Sequence, residues 1–88
     1  MASDDRLLQL AAVMDQLIED TSVPRNIRRG ADSAKKALLN KSNALDVRIS
    51  SAVSVLDELA NDPNIPLHGR TIIWNIISGL ETVARAAK

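Results

Sequence analysis

The 88-residue chain carries eleven basic and eleven acidic residues, no cysteine, and Trp74 as its one Phe, Trp or Tyr residue. This balance removes any net-charge argument for nucleic acid or an anionic membrane as a partner, and the lack of cysteine excludes a disulfide framework and a thiolate metal site. Since 45% of the residues are apolar, the core has to be built from aliphatic side chains. The length fits one small domain, residues 1–88.

The chain shows no sign of export or membrane insertion. Residues 1–5 are acidic rather than basic and lack the apolar run of a signal peptide. Apolar runs such as residues 72–74 are too short to cross a bilayer. The sequence therefore predicts a soluble, cytoplasmic protein without a membrane partner.

Hydrophobic residues recur with a period of about 3.6 residues in four segments, which predicts four amphipathic helices. The expected helices span about residues 4–19, 24–40, 43–60 and 66–87. Pro24 and Pro66 suit the first position of a helix, and Asn43 is expected to cap the third helix. The fourth helix is the most apolar of the four.

A 42-residue internal repeat relates the two halves of the chain, about residues 4–40 and 43–87. The residues that recur in the turns at this offset are Asp20, Pro24 and Arg28, which return as Asp62, Pro66 and Arg70. Each half is a helical hairpin that cannot bury its apolar faces alone, so it packs on its neighbour. The predicted fold is all-α, with two antiparallel helical hairpins related by the repeat.

The stretch 24–38, with its arginines and regularly spaced alanines, resembles the second helix of a HEAT repeat. The acid precedes the arginine by eight residues, which is longer than in HEAT repeats. Two units also fall short of the three or more that a solenoid needs. A compact HEAT-like bundle is therefore expected rather than an extended array.

Two longer stretches, residues 23–29 and 61–75, resemble a small uncharacterised archaeal protein family. The resemblance covers nearly the whole chain. It implies a helical fold and supplies no catalytic residue, because that family has no assigned activity.

The repeated turn is interpreted as structural. Asp20 and Asp62 stand just ahead of helix starts, where a carboxylate can accept backbone N–H groups. Arg28 and Arg70 are expected to reach back to these acids. A catalytic pair has little support, because nothing else in the sequence supplies a nucleophile or a metal ligand.

A basic face on the second helix allows two interpretations. Its members are Arg25, Arg28, Arg29, Lys35 and Lys36. In one interpretation, acids at the end of the first helix neutralise these cations across the turn. In the other, the face contacts phosphates of nucleic acid. The second is the weaker one, because Asp32 interrupts the face and no aromatic residue offers base stacking.

A candidate interface is formed by apolar residues outside the main stripes of their helices, namely Leu8, Val55, Leu67 and Trp74. Either Trp74 covers the rim of a small core, or Leu67 and Trp74 anchor a partner, since Trp is a favoured anchor at interfaces. The most economical partner is a second copy, giving a homodimer, and an unidentified protein is the other candidate.

The sequence supplies no set of residues for catalysis. His68 is the one histidine, and the serines of the third helix have no adjacent base. No cluster has metal-ligand spacing, and Gly69 and Gly79 fit close helix approach better than a phosphate loop. We therefore predict no enzyme activity, metal, cofactor or small-molecule substrate, but a protein-interaction or scaffold module whose process the sequence does not identify.

Overall fold

The computed structural model describes residues 2–86, with side chains from Asp5 onward. Its elements are four helices: α1 (Ala2–Ile18), α2 (Arg25–Leu39), α3 (Leu45–Ala60) and α4 (Leu67–Ala86). Residues 2–86 contain no strand. The all-α prediction is confirmed, and the helices lie where the apolar period indicates, because each apolar stripe needs a neighbouring helix to cover it.

The helices form a ring around one core. Each packs on its neighbours in the chain, and α1 packs on α4. In a solenoid, successive units keep one orientation, so α1 would lie beside α3 and α2 beside α4. Neither pair packs together within residues 2–86. The HEAT-like arrangement is therefore not confirmed, because the last helix returns to the first.

The core is aliphatic, as the composition predicts. Leu7, Met14, Leu17, Val23, Ile27, Leu38, Leu56, Ile73, Ile76 and Leu80 are its largest fully buried side chains. Ala31 and Ala34 of α2 are buried too, and their small side chains allow a neighbouring helix to approach closely. One charged side chain, Arg48, is buried among the described residues.

Two glycines lie where helices from different halves touch. A Cβ on Gly79 of α4 would stand 2.7 Å from Leu10 Cδ2 of α1, and a Cβ on Gly30 of α2 would overlap the Leu59 side chain of α3. Real Cβ contacts are longer, so both positions exclude a larger side chain without a local shift. The prediction that Gly79 allows close approach is confirmed.

The three connections between helices share one geometry. In each, a side-chain Oδ1 accepts the backbone N–H two residues on, an arrangement typical of Asx turns. The three bonds run from Ser22 N to Asp20 (2.9 Å), from Ser42 N to Asn40 (3.0 Å) and from Asn64 N to Asp62 (2.8 Å). The turn therefore occurs three times, not twice.

An arginine follows the aspartate or asparagine of each turn by eight residues, and its side chain donates to a backbone carbonyl. The Nε of Arg28 donates to Val23 O (3.0 Å), that of Arg48 to Leu38 O (2.8 Å) and that of Arg70 to Ala60 O (3.1 Å). Leu38 and Ala60 lie in the last turns of their helices, where carbonyls lack intrahelical partners. The arginines thus satisfy backbone groups, and the expected Arg–Asp pairing within each turn is wrong because the carboxylates are engaged elsewhere.

The start of α3 also differs from the prediction. Ala44, not Asn43, precedes the first helical residue, and no side chain caps this end. Asn43 instead donates its backbone N–H to Asn40 O at 3.2 Å. That bond closes the middle copy of the turn, so Asn43 lies one residue too early for the cap position.

Candidate interaction surfaces

Two side-chain bonds join the first connection to the third. His68 Nε2 lies 3.0 Å from Asp20 Oδ2, and Asn26 Nδ2 donates to Asp62 Oδ2 at 3.0 Å. Asn26 and His68 are six residues after Asp20 and Asp62 respectively. Each turn acid therefore binds the start of the helix that follows the other turn, and these bonds tie the two halves together at one end of the ring.

The same corner contains a serine, a histidine and an acid, but not in a catalytic arrangement. Ser22 Oγ donates to Asp20 Oδ1 at 2.6 Å and lies 3.4 Å from His68 Nε2. A nucleophilic serine needs one ring nitrogen of histidine while the acid holds the other. Here Nε2 faces both groups, so the cluster is structural.

The turn environment favours the ionised form of Asp20. The hydrogen bonds from the Ser22 hydroxyl and backbone N–H, followed by the one from His68, lower the pKa of this carboxyl below its ordinary value of 3.8. Hydrogen bonds to a carboxylate favour the charged form over the neutral one.

In the described part of the chain, no group of three histidine or acidic side chains could hold a metal ion.

The basic face of α2 is divided by its ion pairs. Lys35 Nζ lies 2.7 Å from Asp15 Oδ1, and Lys36 Nζ lies 2.9 Å from Asp32 Oδ2. The hydrogen bond that Lys35 donates to Asp15 raises the pKa of Lys35.

Two arginines of this face keep their charge unmatched. Arg25 and Arg29 are exposed and form no hydrogen bond or ion pair with another described residue. Of the acids at the end of α1, Asp15 thus neutralises Lys35 of this face, and no described ion pair joins Glu19 or Asp20 to an arginine.

A shallow groove of about 370 Å³ opens beside these arginines. Its walls are Arg25, Arg28, Arg29, Asp32 and Ile18. Ile18 is partly buried and packs against the core. We call this feature the arginine groove; it combines three guanidinium groups with one apolar side chain.

The α4 edge is the name we give to Leu67 and Trp74. Leu67 is 76% exposed and Trp74 48% exposed. They stand one heptad apart, so they lie within about 20° of each other around the helix. Large apolar side chains exposed on one side of a helix form a candidate contact surface.

The other two predicted interface residues lie elsewhere. Val55 is partly buried and packs against the core. Leu8 is exposed, but it shares a small groove with Leu39 and Lys41, at the α1 and α2 side of the ring. Leu8 is therefore grouped with residues outside α4, and Val55 is covered in part by the core.

The sequence interpretation missed Arg48, Asn40 and Asn26. Arg48 sits eight residues after Asn40, the same spacing as from Asp20 to Arg28. A search for amide as well as acid at the start of the turn would have found it. Nothing in the sequence pointed to Asn26, because its partner lies 36 positions away.

These features define the class of protein: a small ring of four helices that presents an apolar helix edge and an arginine groove. None of the described helices is both long and apolar enough to span a bilayer. Residues 1–83 match an uncharacterised protein family, UPF0147, and the chain belongs to this family.

Relatives of known sequence are archaeal. The chain is 49% identical over 80 residues to a UPF0147 protein of Methanocaldococcus jannaschii, covering 91% of this chain and 86% of the relative. It is 44% identical over 87 residues to one from Thermoplasma volcanium, covering 98% of both. The predicted resemblance to an uncharacterised archaeal family is confirmed.

Solved structures share the fold. A crystal structure of a protein of unknown function is 48% identical, with a TM-score of 0.87 over 90% of both chains. A UPF0147 structure from Thermoplasma acidophilum is 40% identical, with a TM-score of 0.86, covering 94% of this chain and 99% of that one. Neither the family nor these structures has an assigned function.

Proposed function

We propose that this chain is a non-enzymatic, cytoplasmic protein-interaction module that works through the α4 edge. The observation that carries the proposal is the exposure of Leu67 and Trp74 on the same side of one helix. Both side chains leave apolar surface in contact with water. Burial of that surface against a partner would stabilise the complex by about 25 cal/mol per Å². Trp is also the residue type most enriched among interface anchors.

The partner proposed first is a second copy of the chain. Arg70 and Glu81 flank Trp74 within about 40° of it around α4. In an antiparallel pair of α4 helices related by a two-fold axis, Arg70 of each copy would stand opposite Glu81 of the other. The two Trp74 side chains would then lie close to the axis. Such a surface is self-complementary, as a two-fold dimer requires.

We also propose that residues 1–88 form one domain of two hairpins related by the 42-residue repeat. The reciprocal bonds support this relation. The 42-residue offset converts Asp20 into Asp62 and Asn26 into His68, so it converts one bonded pair into the other. A two-fold relation between halves, rather than HEAT-like stacking, would bring α1 to α4 and α2 to α3.

Light scattering tests the function by the mass in solution. The unmodified chain is expected to show a dimer whose share grows with concentration, and Trp74→Ala is expected to shift the mass to the monomer. Leu8→Ala is the matched control, because Leu8 is comparably exposed and lines a groove that contains no α4 residue. A monomer at every concentration, or equal weakening by both substitutions, would contradict the proposal.

The nucleic-acid alternative has less support. Two of the five residues of the basic face, Lys35 and Lys36, are paired with acids. Few cations therefore remain to follow a phosphate backbone, and the affinity of a nucleic acid grows with the number of phosphates neutralised. The test of the arginine groove below includes this alternative as an outcome.

A further inference from the structure

The cations of α2 differ in whether the fold uses them. Lys35 and Lys36 are paired with Asp15 and Asp32, and the Nε of Arg28 donates to a backbone carbonyl. Arg25 and Arg29 have no hydrogen-bond or ion-pair partner among residues 5–86, whose side chains the structure describes. The fold therefore gives a structural reason for three of the five cations and none for the other two.

The position of Arg25 and Arg29 is electrostatically unfavourable. They stand four residues apart, where like charges destabilise a helix by about 0.2–0.5 kcal/mol. They also occupy the first turns of α2, which contain no acidic residue, and cations there oppose the helix dipole. An anion placed between the two guanidinium groups would remove both penalties.

The arginine groove has the shape and the chemistry for such an anion. Arg25, Arg28 and Arg29 line it together with Ile18. Guanidinium groups bind carboxylates through paired, charge-assisted hydrogen bonds. Ile18 offers an apolar contact directly beside them, which suits a side chain adjacent to the anion.

We propose that the arginine groove binds an acidic peptide segment of a partner protein, with a carboxylate between Arg25 and Arg29 and an apolar neighbour against Ile18. A nucleic acid fits less well, because Arg25, Arg28 and Arg29 are too few cations to follow a continuous phosphate backbone. Trp74, the one Phe, Trp or Tyr residue of the chain, lies on α4 and not in the groove. This inference is independent of the α4 edge, which lies on another helix.

The test is an NMR titration of the full chain with a capped hexapeptide that carries two glutamates next to a leucine. We expect saturable shifts of the Arg25 and Arg29 Nε–H signals and of the Ile18 methyl signals, and weaker binding as salt is added. The same peptide with glutamines in place of the glutamates is expected to bind at least on the order of tenfold more weakly.

Arg25→Glu/Arg29→Glu is the decisive variant, because acids in the first turn favour the helix and the fold is preserved. It is expected to weaken peptide binding on the order of tenfold or more, whereas Lys41→Ala, in the α2–α3 connection and outside the groove, is expected to leave it unchanged. Arg25→Gln/Arg29→Gln, which introduces no repulsion, is expected to show the same loss.

Three results would overturn the inference. One is the absence of shifts at these three residues with millimolar peptide. Another is equal binding by the glutamine peptide or by the arginine variants. The third is tighter binding of a single-stranded oligonucleotide of equal charge at the same residues, which would assign the groove to nucleic acid instead.

Discussion

Asp20 of the first connection and His68 of α4 lie 48 positions apart in the chain, yet their side chains approach to 3.0 Å. Asn26 and Asp62 form the reciprocal bond at 3.0 Å. Each carboxylate therefore closes its own turn through Oδ1 and binds the opposite half of the molecule through Oδ2. This relationship explains why an acid and an arginine recur together without pairing.

The first prediction concerns acid stability. Because the pKa of Asp20 is lowered in the folded chain, the unfolded chain binds more protons in the interval between the two pKa values. The free energy of unfolding therefore falls as pH falls below 3.8, and the contribution is fully present above that value. Thermal unfolding at a series of pH values is expected to show a smaller loss over this interval for Asp20→Asn. Identical pH profiles would contradict this account.

The second prediction concerns Asp62. Its carboxylate accepts one bond from Asn64 N and one from Asn26 Nδ2. Asp62→Ala is expected to lower the free energy of unfolding by about 1–3 kcal/mol, since a net hydrogen bond contributes about 0.5–1.5 kcal/mol. The association state is expected to stay unchanged in light scattering. An unchanged melting temperature would show that the two bonds add nothing.

The third prediction concerns Arg48, which is buried and donates to Leu38 O at 2.8 Å. Arg48→Met keeps much of the apolar volume but removes a charged donor, so we expect a loss of about 1.5–3 kcal/mol. Urea unfolding measures this loss. Arg25→Met is the control, because that exposed arginine has no described partner and its replacement is expected to change stability by less than about 0.5 kcal/mol. Equal effects of the two changes would contradict a capping role for Arg48.

The fourth prediction compares two glycines of α4. Gly79→Ala places a Cβ 2.7 Å from Leu10 Cδ2, so overpacking is expected to cost about 1–3 kcal/mol. Gly69→Ala meets Ile65 at 3.4 Å, close to ordinary contact, and is expected to stabilise by up to about 1 kcal/mol through helix propensity. Thermal unfolding of both variants checks the opposite signs. Stabilisation by Gly79→Ala would mean that α1 and α4 pack less closely than described.

The helices and the core could be predicted from the sequence because both depend on local periodicity. The apolar residues of α4, such as Ile73 and Ile76, repeat at helical spacing, and they are buried. Pro24 and Pro66 marked the starts of α2 and α4 to within one residue, but each proline precedes the helix, which begins at Arg25 or Leu67, and does not occupy its first position.

The rest depended on contacts between distant residues. The closure of α1 on α4 is not encoded in any single stretch, and the HEAT-like period of 42 residues suggested stacking instead. The middle turn escaped notice because Asn40 and Ala44 replace the aspartate and proline of the other two. An amide oxygen makes the same turn bond as a carboxylate, so the geometry is kept while the sequence pattern is lost.

The most direct test of the central claim is the fluorescence of Trp74 as a function of protein concentration. Because this is the one tryptophan of the chain, its emission reports on the α4 edge alone. Trp74 is half exposed, so its burial in a dimer is expected to shift its emission to shorter wavelength as the protein concentration rises. In Leu67→Ala, the same shift is expected to occur only at a higher protein concentration. An emission maximum that stays constant from nanomolar to millimolar protein would contradict an interface at the α4 edge between copies of this chain.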